Sequence, residues 1–390
     1  MMHIIKHIPR WLITGLLISL GLGCLVILWN IAYVTNLGGE DFVVYWSATY
    51  LFHNGLNPYN PALMRGVLQT LIPIAPDYTP MAWNPPFLFI FLLAFAWLPY
   101  TTAKFIWLIT NIVTVLVATL MLARMYFPAG KHNLVLIYVL FAFSLPQVVV
   151  GIFIGQVTFL VLLGVVACML LIKKGQWFWA GTVLILTTIK PHMVILVLIY
   201  LLLIMARRRK YQGWAGLALA GLICVAGLFV FRLEWVKDLI GEMSIAPVHW
   251  GTPTIGGLLS YYGVSEAARY MILLFLPLPI ILARYEAIVK LELAVALLTL
   301  ITVPTTFFGW SFDQTIMLIP IALVFSWMIR SKNKAVKAGF FIAIGIALVV
   351  NWSLRIFNSD DVFFVWYPLF WWIIFGVFWY LSTTKIAAQD

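Results

Sequence analysis

Long apolar runs recur along the whole chain, and short polar connections separate them. The first run covers residues 11–34 and the last covers residues 362–382. Runs of about 15 to 22 apolar residues have the length that a helix needs to cross the hydrocarbon core of a bilayer. The pattern therefore predicts an all-α polytopic membrane protein.

The composition leaves little chain for a separate soluble domain. Of the 390 residues, 64% are hydrophobic and 9% are charged, so we expect a single integral membrane domain over residues 1–390. The two longest connections, residues 35–83 and 232–269, are rich in Trp, Tyr, Pro and Gly. We expect these two connections to form the first and second large outer loops.

Most Lys and Arg residues cluster at the ends of the apolar runs, which is a signal of membrane topology rather than of a nucleic-acid partner. With a cytoplasmic N-terminus, the positive-inside rule is satisfied by about 12 spans if one apolar run does not cross. That run is either residues 84–99, as a short re-entrant hairpin, or residues 134–150, which contain Pro146. Both arrangements predict a multi-pass protein of the cell membrane with its active site on the extracytoplasmic face.

The first outer loop opens with two adjacent acids, Glu40 and Asp41, in a chain that has few acids. Aromatic residues follow at spacings of three and four, so their side chains share one face of a helix. We expect amphipathic helices in this loop, lying on the membrane surface. Asp41 is either the cap of the first helix or a reactive group at the membrane boundary.

The same loop resembles the first-loop signature of glycosyltransferase family 87, a family of membrane enzymes of the GT-C class. Further matches follow in order, and together they touch about half of the chain. The matching residues are Glu40-Asp41-Phe42, Tyr45-Trp46, Ala48, Phe52, Gly55, Asn57-Pro58-Tyr59, Asn84-Pro85-Pro86, Gly155-Gln156 and Lys190-Pro191.

The resemblance implies an inverting transfer of a sugar, mannose by default, from a polyprenyl-phosphate donor to a hydroxyl of a lipid-linked or cell-envelope glycan acceptor. The acceptor hydroxyl needs a general base, and the resemblance gives this role to Asp41. A carboxylate at the membrane boundary suits the role because partial desolvation raises its basicity. The implied partners are the lipid-linked donor, the acceptor and membrane lipids.

The departing lipid phosphate gains negative charge, so we expect cationic side chains to face it. Lys190, at an outer turn between two apolar runs, is the first candidate for binding the donor phosphate, with His192 beside it. The alternative for Lys190 is that it extends from a helix end toward the lipid headgroups. Arg355, one of the few basic residues that the topology leaves outside, is a further candidate for the phosphate.

Acceptor or sugar binding is predicted for aromatic and hydrogen-bonding side chains on the same side of the membrane. Asp313 is an alternative base, although a helix cap is the simpler interpretation of that position. We predict no metal site and no cofactor, because Glu40 and Asp41 alone do not complete an oxygen-ligand site. A requirement for a divalent cation is the alternative to this prediction. The predicted sugar-binding and acceptor-binding residues are Glu40, Tyr45, Trp46, Gln156 and His249.

Two other functions fit a membrane protein of this composition. A transporter or lipid flippase would place polar or charged residues inside several spans, whereas this chain keeps nearly all its charges at the ends of the apolar runs. A glycan ligase or polymerase acting on a lipid diphosphate would need several Arg residues on the outer face. The outer Arg residues of this chain are scattered, which favours the sugar-phosphate enzyme, but the ligase or polymerase is chemically close to that enzyme and is kept as an alternative with the transporter.

Overall fold

A computed structural model describes residues 38–74, 79–130, 132–243 and 250–384. Within these ranges the chain is helical and contains no strand, which confirms the predicted all-α class. The first apolar run, residues 11–34, lies outside the described residues, and so does His249.

The described residues form seventeen α-helices, and 3₁₀ helices extend several of them. In chain order the α-helices are α1 (Glu40–His53), α2 (Pro61–Gln69), α3 (Phe87–Ala96), α4 (Tyr100–Tyr126), α5 (His132–Ser144), α6 (Pro146–Ile154), α7 (Thr158–Lys173), α8 (Trp177–Leu184), α9 (Ile195–Arg207), α10 (Tyr211–Phe231), α11 (Trp235–Met243), α12 (Ile255–Tyr261), α13 (Pro277–Arg284), α14 (Leu291–Thr305), α15 (Leu318–Arg330), α16 (Lys334–Ile356) and α17 (Trp366–Thr384). The 3₁₀ helices are Ile185–Ile189, Pro191–Val194, Glu266–Phe275, Ser311–Met317 and Asp361–Val365.

Six helices of the described chain, counted with their 3₁₀ extensions, are long and apolar enough to cross a membrane, and a seventh span results if α5 and α6 form one broken span. Five further apolar helices are shorter. The prediction of a polytopic membrane protein is thus confirmed, whereas the predicted number of about 12 spans is not. The six helices are Tyr100–Tyr126, Tyr211–Phe231, Glu266–Arg284, Ser311–Arg330, Lys334–Ile356 and Asp361–Leu381.

Of the two segments that the charge pattern left as candidates for the non-crossing run, one forms only a short helix and the other is bent. Helix α3 has 10 residues, which is about 15 Å of helix and half of the roughly 30 Å that the hydrocarbon core requires. Helices α5 and α6 are bent by 60° relative to each other. The bend lies at Pro146, which lacks the N–H that would continue α5 and holds Leu145 in an extended conformation.

Helix α1 is buried on nearly all sides, so the predicted amphipathic surface helix is wrong for this segment. Every residue from position 42 to position 49 is buried. The Phe42 ring stacks on Trp107 with 5.4 Å between ring centroids, and the Trp46 indole N–H donates to the carbonyl of Phe95 at 3.0 Å. The aromatic side chains therefore contact α3 and α4. Helix α2 has the expected one-sided burial.

Four segments come together around the candidate site: the start of α1, the turn between α6 and α7, the junction of the first two 3₁₀ helices, and the 3₁₀ helix Ser311–Met317. Gly155, in the turn, has a φ of 82°, and a Cβ atom there would lie 2.5 Å from the Cβ of Phe42. Glycine is therefore required for α1 to approach this turn. The Trp107 indole N–H donates to the Gly155 carbonyl at 2.8 Å and fixes the turn from the other side.

Candidate active site

Asp41 lies in the first turn of α1, and its carboxylate is directed at Gln156. Gly39, in a left-handed conformation, precedes the helix, and Asp41 is inside the helix rather than at its cap position. The Asp41 Oδ2 atom accepts a hydrogen bond from the Gln156 amide nitrogen Nε2. Asp41 therefore contacts a side chain of another segment instead of capping its own helix.

The amide of Gln156 has a defined orientation. Its oxygen Oε1 accepts hydrogen bonds from the Lys190 ammonium at 2.9 Å and from the Tyr45 hydroxyl at 3.3 Å. A cation and a hydroxyl donor favour the amide oxygen at this position, and the amide NH₂ group then faces the Asp41 carboxylate. Gln156 thus connects the acid of α1 with the cation that follows the first 3₁₀ helix.

Lys190 is 5% exposed and lies at the junction of the two 3₁₀ helices. Besides Gln156, its ammonium contacts the Asp313 carboxylate at 2.8 Å and the Thr158 hydroxyl at 3.4 Å. The Phe312 ring centroid lies 5.2 Å from the ammonium. The interpretation of Lys190 as a side chain extending to the headgroups therefore does not describe this arrangement, because the ammonium is enclosed by protein groups.

Asp313 is also buried, with 5% of its surface exposed. Its Oδ1 atom accepts from the Thr158 hydroxyl at 2.5 Å in addition to Lys190, and its Oδ2 atom accepts from the backbone N–H of Trp310 at 3.0 Å. The contact with Trp310 supports the start of the 3₁₀ helix Ser311–Met317 from inside that helix, because Trp310 is the cap residue and Asp313 is the third residue after it, whereas the sequence predicted Asp313 as the cap itself. The same carboxylate is also the counter-ion of Lys190, which the sequence did not indicate.

Burial raises the pKa of the Asp41 carboxyl to about 6. The Lys190 ammonium and the hydrogen bond from Gln156 act in the opposite direction, and the Asp313 and Glu40 carboxylates raise this pKa further. Burial is the largest of these effects because removing a carboxylate from water disfavours its charged form. Asp41 is consequently ionised near neutral pH and is more basic than an ordinary aspartate.

Arg355 takes part in a second charged group next to the first. Its guanidinium lies 3.2 Å from the Asp361 carboxylate, donates to the Ser311 hydroxyl and covers the Phe364 ring at 4.4 Å from the ring centroid. Asp361 in turn accepts from the Ser311 backbone N–H at 2.7 Å. Since Ser311 and Asp313 belong to the same 3₁₀ helix, both ion pairs are anchored on one short segment.

The remaining predicted residues lie at different distances from this cluster. The His192 ring packs against Phe307 and Phe308, and its Nε2 atom is buried without a hydrogen-bond partner among the described residues. Trp46 packs against α3 and its indole N–H is bound to a backbone carbonyl, whereas Glu40 is exposed at the start of α1. The structure therefore brings Tyr45, but not Trp46, to Gln156.

Sequence reasoning missed several residues that build the site. Thr158 and Ser311 are unremarkable in the sequence, and their contacts join positions far apart in the chain. Asn84 was identified only as part of a motif. Its side-chain amide donates to the backbone carbonyl of Ile189, next to Lys190, at 3.3 Å. Its backbone carbonyl accepts from the Tyr59 hydroxyl at 3.0 Å. No local signal in the sequence identifies Thr158 or Ser311.

A pocket is lined by Asp313, whereas Asp41, Gln156 and Lys190 are not among its lining residues. Among the described residues, no group of three or more His, Cys, Asp or Glu side chains is arranged to hold a metal ion. The cluster nevertheless combines a basic carboxylate, a buried ammonium and an adjacent cavity, which is a set of groups suited to acid–base and anion chemistry. The pocket is lined by Met193, Pro253, Thr254, Val303, Thr306, Phe308, Gly309, Trp310, Asp313 and Gln314.

Comparison with known families matches residues 83–304 to the family described as glycosyltransferase family 87. The matched segment covers more than half of the chain and contains Gln156 and Lys190, whereas Asp41, Asp313 and Arg355 lie outside it. No curated protein and no solved structure matches the chain.

Proposed function

Since this chain belongs to glycosyltransferase family 87 and is therefore a membrane glycosyltransferase, we propose that it is an inverting, GT-C-type enzyme that uses a polyprenyl-phosphate sugar as donor. The sugar is mannose, and the acceptor is a hydroxyl of a lipid-linked or cell-envelope glycan at the outer face of the cell membrane. The observation that carries this proposal is the hydrogen-bonded series of a partly buried Asp41 and the buried residues Gln156, Lys190 and Asp313, in which a base and a cation are two hydrogen bonds apart.

In the proposed reaction Asp41 accepts the proton of the acceptor hydroxyl as the hydroxyl oxygen attacks C1 of the sugar. The bond between C1 and the phosphate oxygen breaks at the same time, so the configuration at C1 inverts and a polyprenyl phosphate departs. A pKa of about 6 supports this role, because a base acts best when its pKa lies near the working pH.

Lys190 is proposed to stabilise the phosphate as negative charge accumulates on it. Its three N–H groups are directed at Gln156, Thr158 and Asp313, and the contact with Thr158 is the longest at 3.4 Å. A phosphate oxygen that binds the Lys190 ammonium is therefore expected to displace Thr158, because this is the weakest of the three hydrogen bonds. Arg355 and His192, next to the same 3₁₀ helices, are proposed as further ligands of the donor phosphate.

The sugar and the acceptor are proposed to contact the polar groups at the start of α1. Tyr45 and Gln156 already lie beside the carboxylate, so they are the better supported of the predicted contacts. Glu40 and His249 remain proposals of the sequence pattern. The packing of Trp46 against α3 favours a supporting role for that residue over direct contact with sugar.

The reaction is tested by incubating the purified full-length protein with radiolabelled polyprenyl-phosphate sugars and a membrane lipid extract, and by comparing wild type with Asp41→Asn. Loss of a general base lowers the rate by about 10²- to 10⁴-fold. Glu234→Gln is the matched control, because that acid is 64% exposed and pairs with Arg232 outside the site. Wild-type transfer by Asp41→Asn would remove Asp41 from the mechanism, and no transfer by wild type from any donor would exclude this donor class.

A further inference from the structure

The Lys190 ammonium is held on two sides, by Gln156 toward Asp41 and by Asp313 away from it. We propose that Asp313 is a positioning residue of the active site: its carboxylate holds the Lys190 ammonium against Gln156, and this fixes the Gln156 amide against Asp41. The inference rests on the proposed function and assigns Asp313 a part in it that does not involve contact with the reacting atoms.

Asp313 has the rigidity that a positioning residue requires. The Thr158 hydroxyl and the Trp310 backbone N–H donate to opposite oxygens of its carboxylate, at 2.5 Å and 3.0 Å. Thr158 begins α7 and Trp310 precedes the 3₁₀ helix Ser311–Met317, so two separate segments locate the carboxylate. The Lys190 ammonium, in contrast, is at the end of a flexible side chain, and its position depends on the groups that it contacts.

The orientation of the Gln156 amide depends on that ammonium together with the Tyr45 hydroxyl, because both donate to the amide oxygen. Rotation of the amide by 180° would place its oxygen against the Asp41 carboxylate and its NH₂ group against Lys190, and both contacts would then be repulsive. With Lys190 held by Asp313, the oxygen faces the cation and the NH₂ group faces Asp41. Asp313 thereby supports the amide orientation in which Gln156 donates to Oδ2 of Asp41, and the proposed reaction uses the other carboxylate oxygen for the substrate proton.

Asp313 also compensates the charge of Lys190 in a site where both side chains are about 5% exposed. Within the described ranges, the charged and titratable groups that act on Asp41 are Glu40 on its own helix, Tyr45 one turn further, and Lys190 and Asp313 from the other segments. Without the Asp313 carboxylate, Lys190 acts on Asp41 uncompensated and lowers the pKa of Asp41. Loss of Asp313 is therefore expected to change the titration of a different residue.

The test uses Asp313→Asn in the full-length protein, with two measurements. Infrared difference spectra in a pH titration follow the carbonyl band of protonated Asp41, which is identified by its absence in Asp41→Asn, and steady-state assays with the polyprenyl-phosphate donor give kcat/KM. We expect the Asp41 midpoint to move to lower pH and kcat/KM to fall about 10- to 100-fold, as for other misplaced catalytic groups. Glu292→Gln, which removes the partner of Lys173 in another ion pair, is expected to leave both quantities unchanged.

Asp313→Glu is the second variant, because it keeps the charge and displaces the carboxylate by one methylene. It is expected to lower kcat/KM while its Asp41 midpoint stays nearer to that of wild type. Wild-type kcat/KM in either variant, or an unchanged Asp41 midpoint in folded Asp313→Asn, would overturn the positioning role. The infrared measurement needs no turnover, so a shifted midpoint in a protein that transfers no sugar would overturn the proposed reaction and leave the role of Asp313 standing.

Discussion

Gln156 joins the acid and the cation of the site through opposite ends of one amide. A carboxylate at this position would repel Asp41, and an apolar side chain would leave Lys190 short of an acceptor. The resemblance to the family identified Asp41, Gln156 and Lys190 individually. It did not show that they touch, since the contact between Gln156 and Asp41 spans 115 positions of the chain.

Tyr45 and Trp46 are adjacent in α1, but the fold gives them different surroundings. Tyr45 and Trp46 were equally plausible as sugar contacts, but successive residues of a helix point about 100° apart. Packing of α1 on α3 decides between them, because it turns Trp46 to Phe95 and leaves Tyr45 at Gln156. The sequence does not contain that packing direction.

A Cβ atom at position 155 is expected to destabilise the fold. Gly155→Ala combines a positive φ with a Cβ atom 2.5 Å from that of Phe42, and we expect a loss of about 1 to 3 kcal/mol in the free energy of unfolding. The thermal unfolding midpoint in detergent measures this effect. Gly221→Ala in α10, where a new Cβ atom meets nothing within 4 Å, is the control and should not lower the midpoint.

Equal stability of Gly155→Ala and wild type would contradict the close approach of α1 to the turn. A destabilised variant should also lose activity, because the turn carries Gln156. We expect lower stability and lower activity together, because the packing of Phe42 and the placement of Gln156 depend on the same glycine.

The positions of most helices follow from the apolar runs of the sequence. The sequence does not show which of these runs form one continuous helix that is long enough to cross the membrane. Counting charges could not decide between residues 84–99 and 134–150 as the run that does not cross; the structure has a short helix in the first segment and a 60° bend at the second. Pro85 and Pro86 delay the start of α3, and Pro146 bends the second segment. The burial of α1 was not predictable either, since aromatic spacing marks a helical face without identifying whether lipid or protein covers it.

The predicted topology is tested by labelling cysteines from the outside of intact cells. In a variant in which Cys24, Cys168 and Cys224 are replaced by serine, Leu56→Cys should react with a membrane-impermeant maleimide, because the predicted topology assigns residues 35–83 to the outside. Lys332→Cys, in a basic cluster that the positive-inside rule assigns to the cytoplasm, should react only after permeabilisation. Both positions are exposed in the fold, so the reverse pattern would place the site on the cytoplasmic face and contradict the proposed orientation.

For the whole molecule, two of the ion pairs of a highly apolar chain meet on one short segment. The ion pairs Lys190–Asp313 and Arg355–Asp361 both meet the 3₁₀ helix Ser311–Met317. This segment follows the part of the chain that matches the family, whereas Lys190 lies within it. The sequence could place these charges on one side of the membrane, but only the folded chain pairs them.

The activity of the whole enzyme should follow the ionisation of Asp41. Asp41 accepts a proton only when it is deprotonated, and its pKa is raised to about 6. Activity is therefore present above this pH and is lost as the pH falls through about 6, with roughly a tenfold decrease per unit below it. An ordinary aspartate would place the same decrease near pH 4.

The pH dependence of kcat/KM for sugar transfer, measured for wild type and for Asp41→Asn, tests the central claim most directly. Our account predicts an acid limb near pH 6 in wild type and weak residual transfer without that limb in Asp41→Asn. A wild-type profile that stays flat down to pH 5, or an acid limb that persists in Asp41→Asn, would contradict the role of Asp41 as the base.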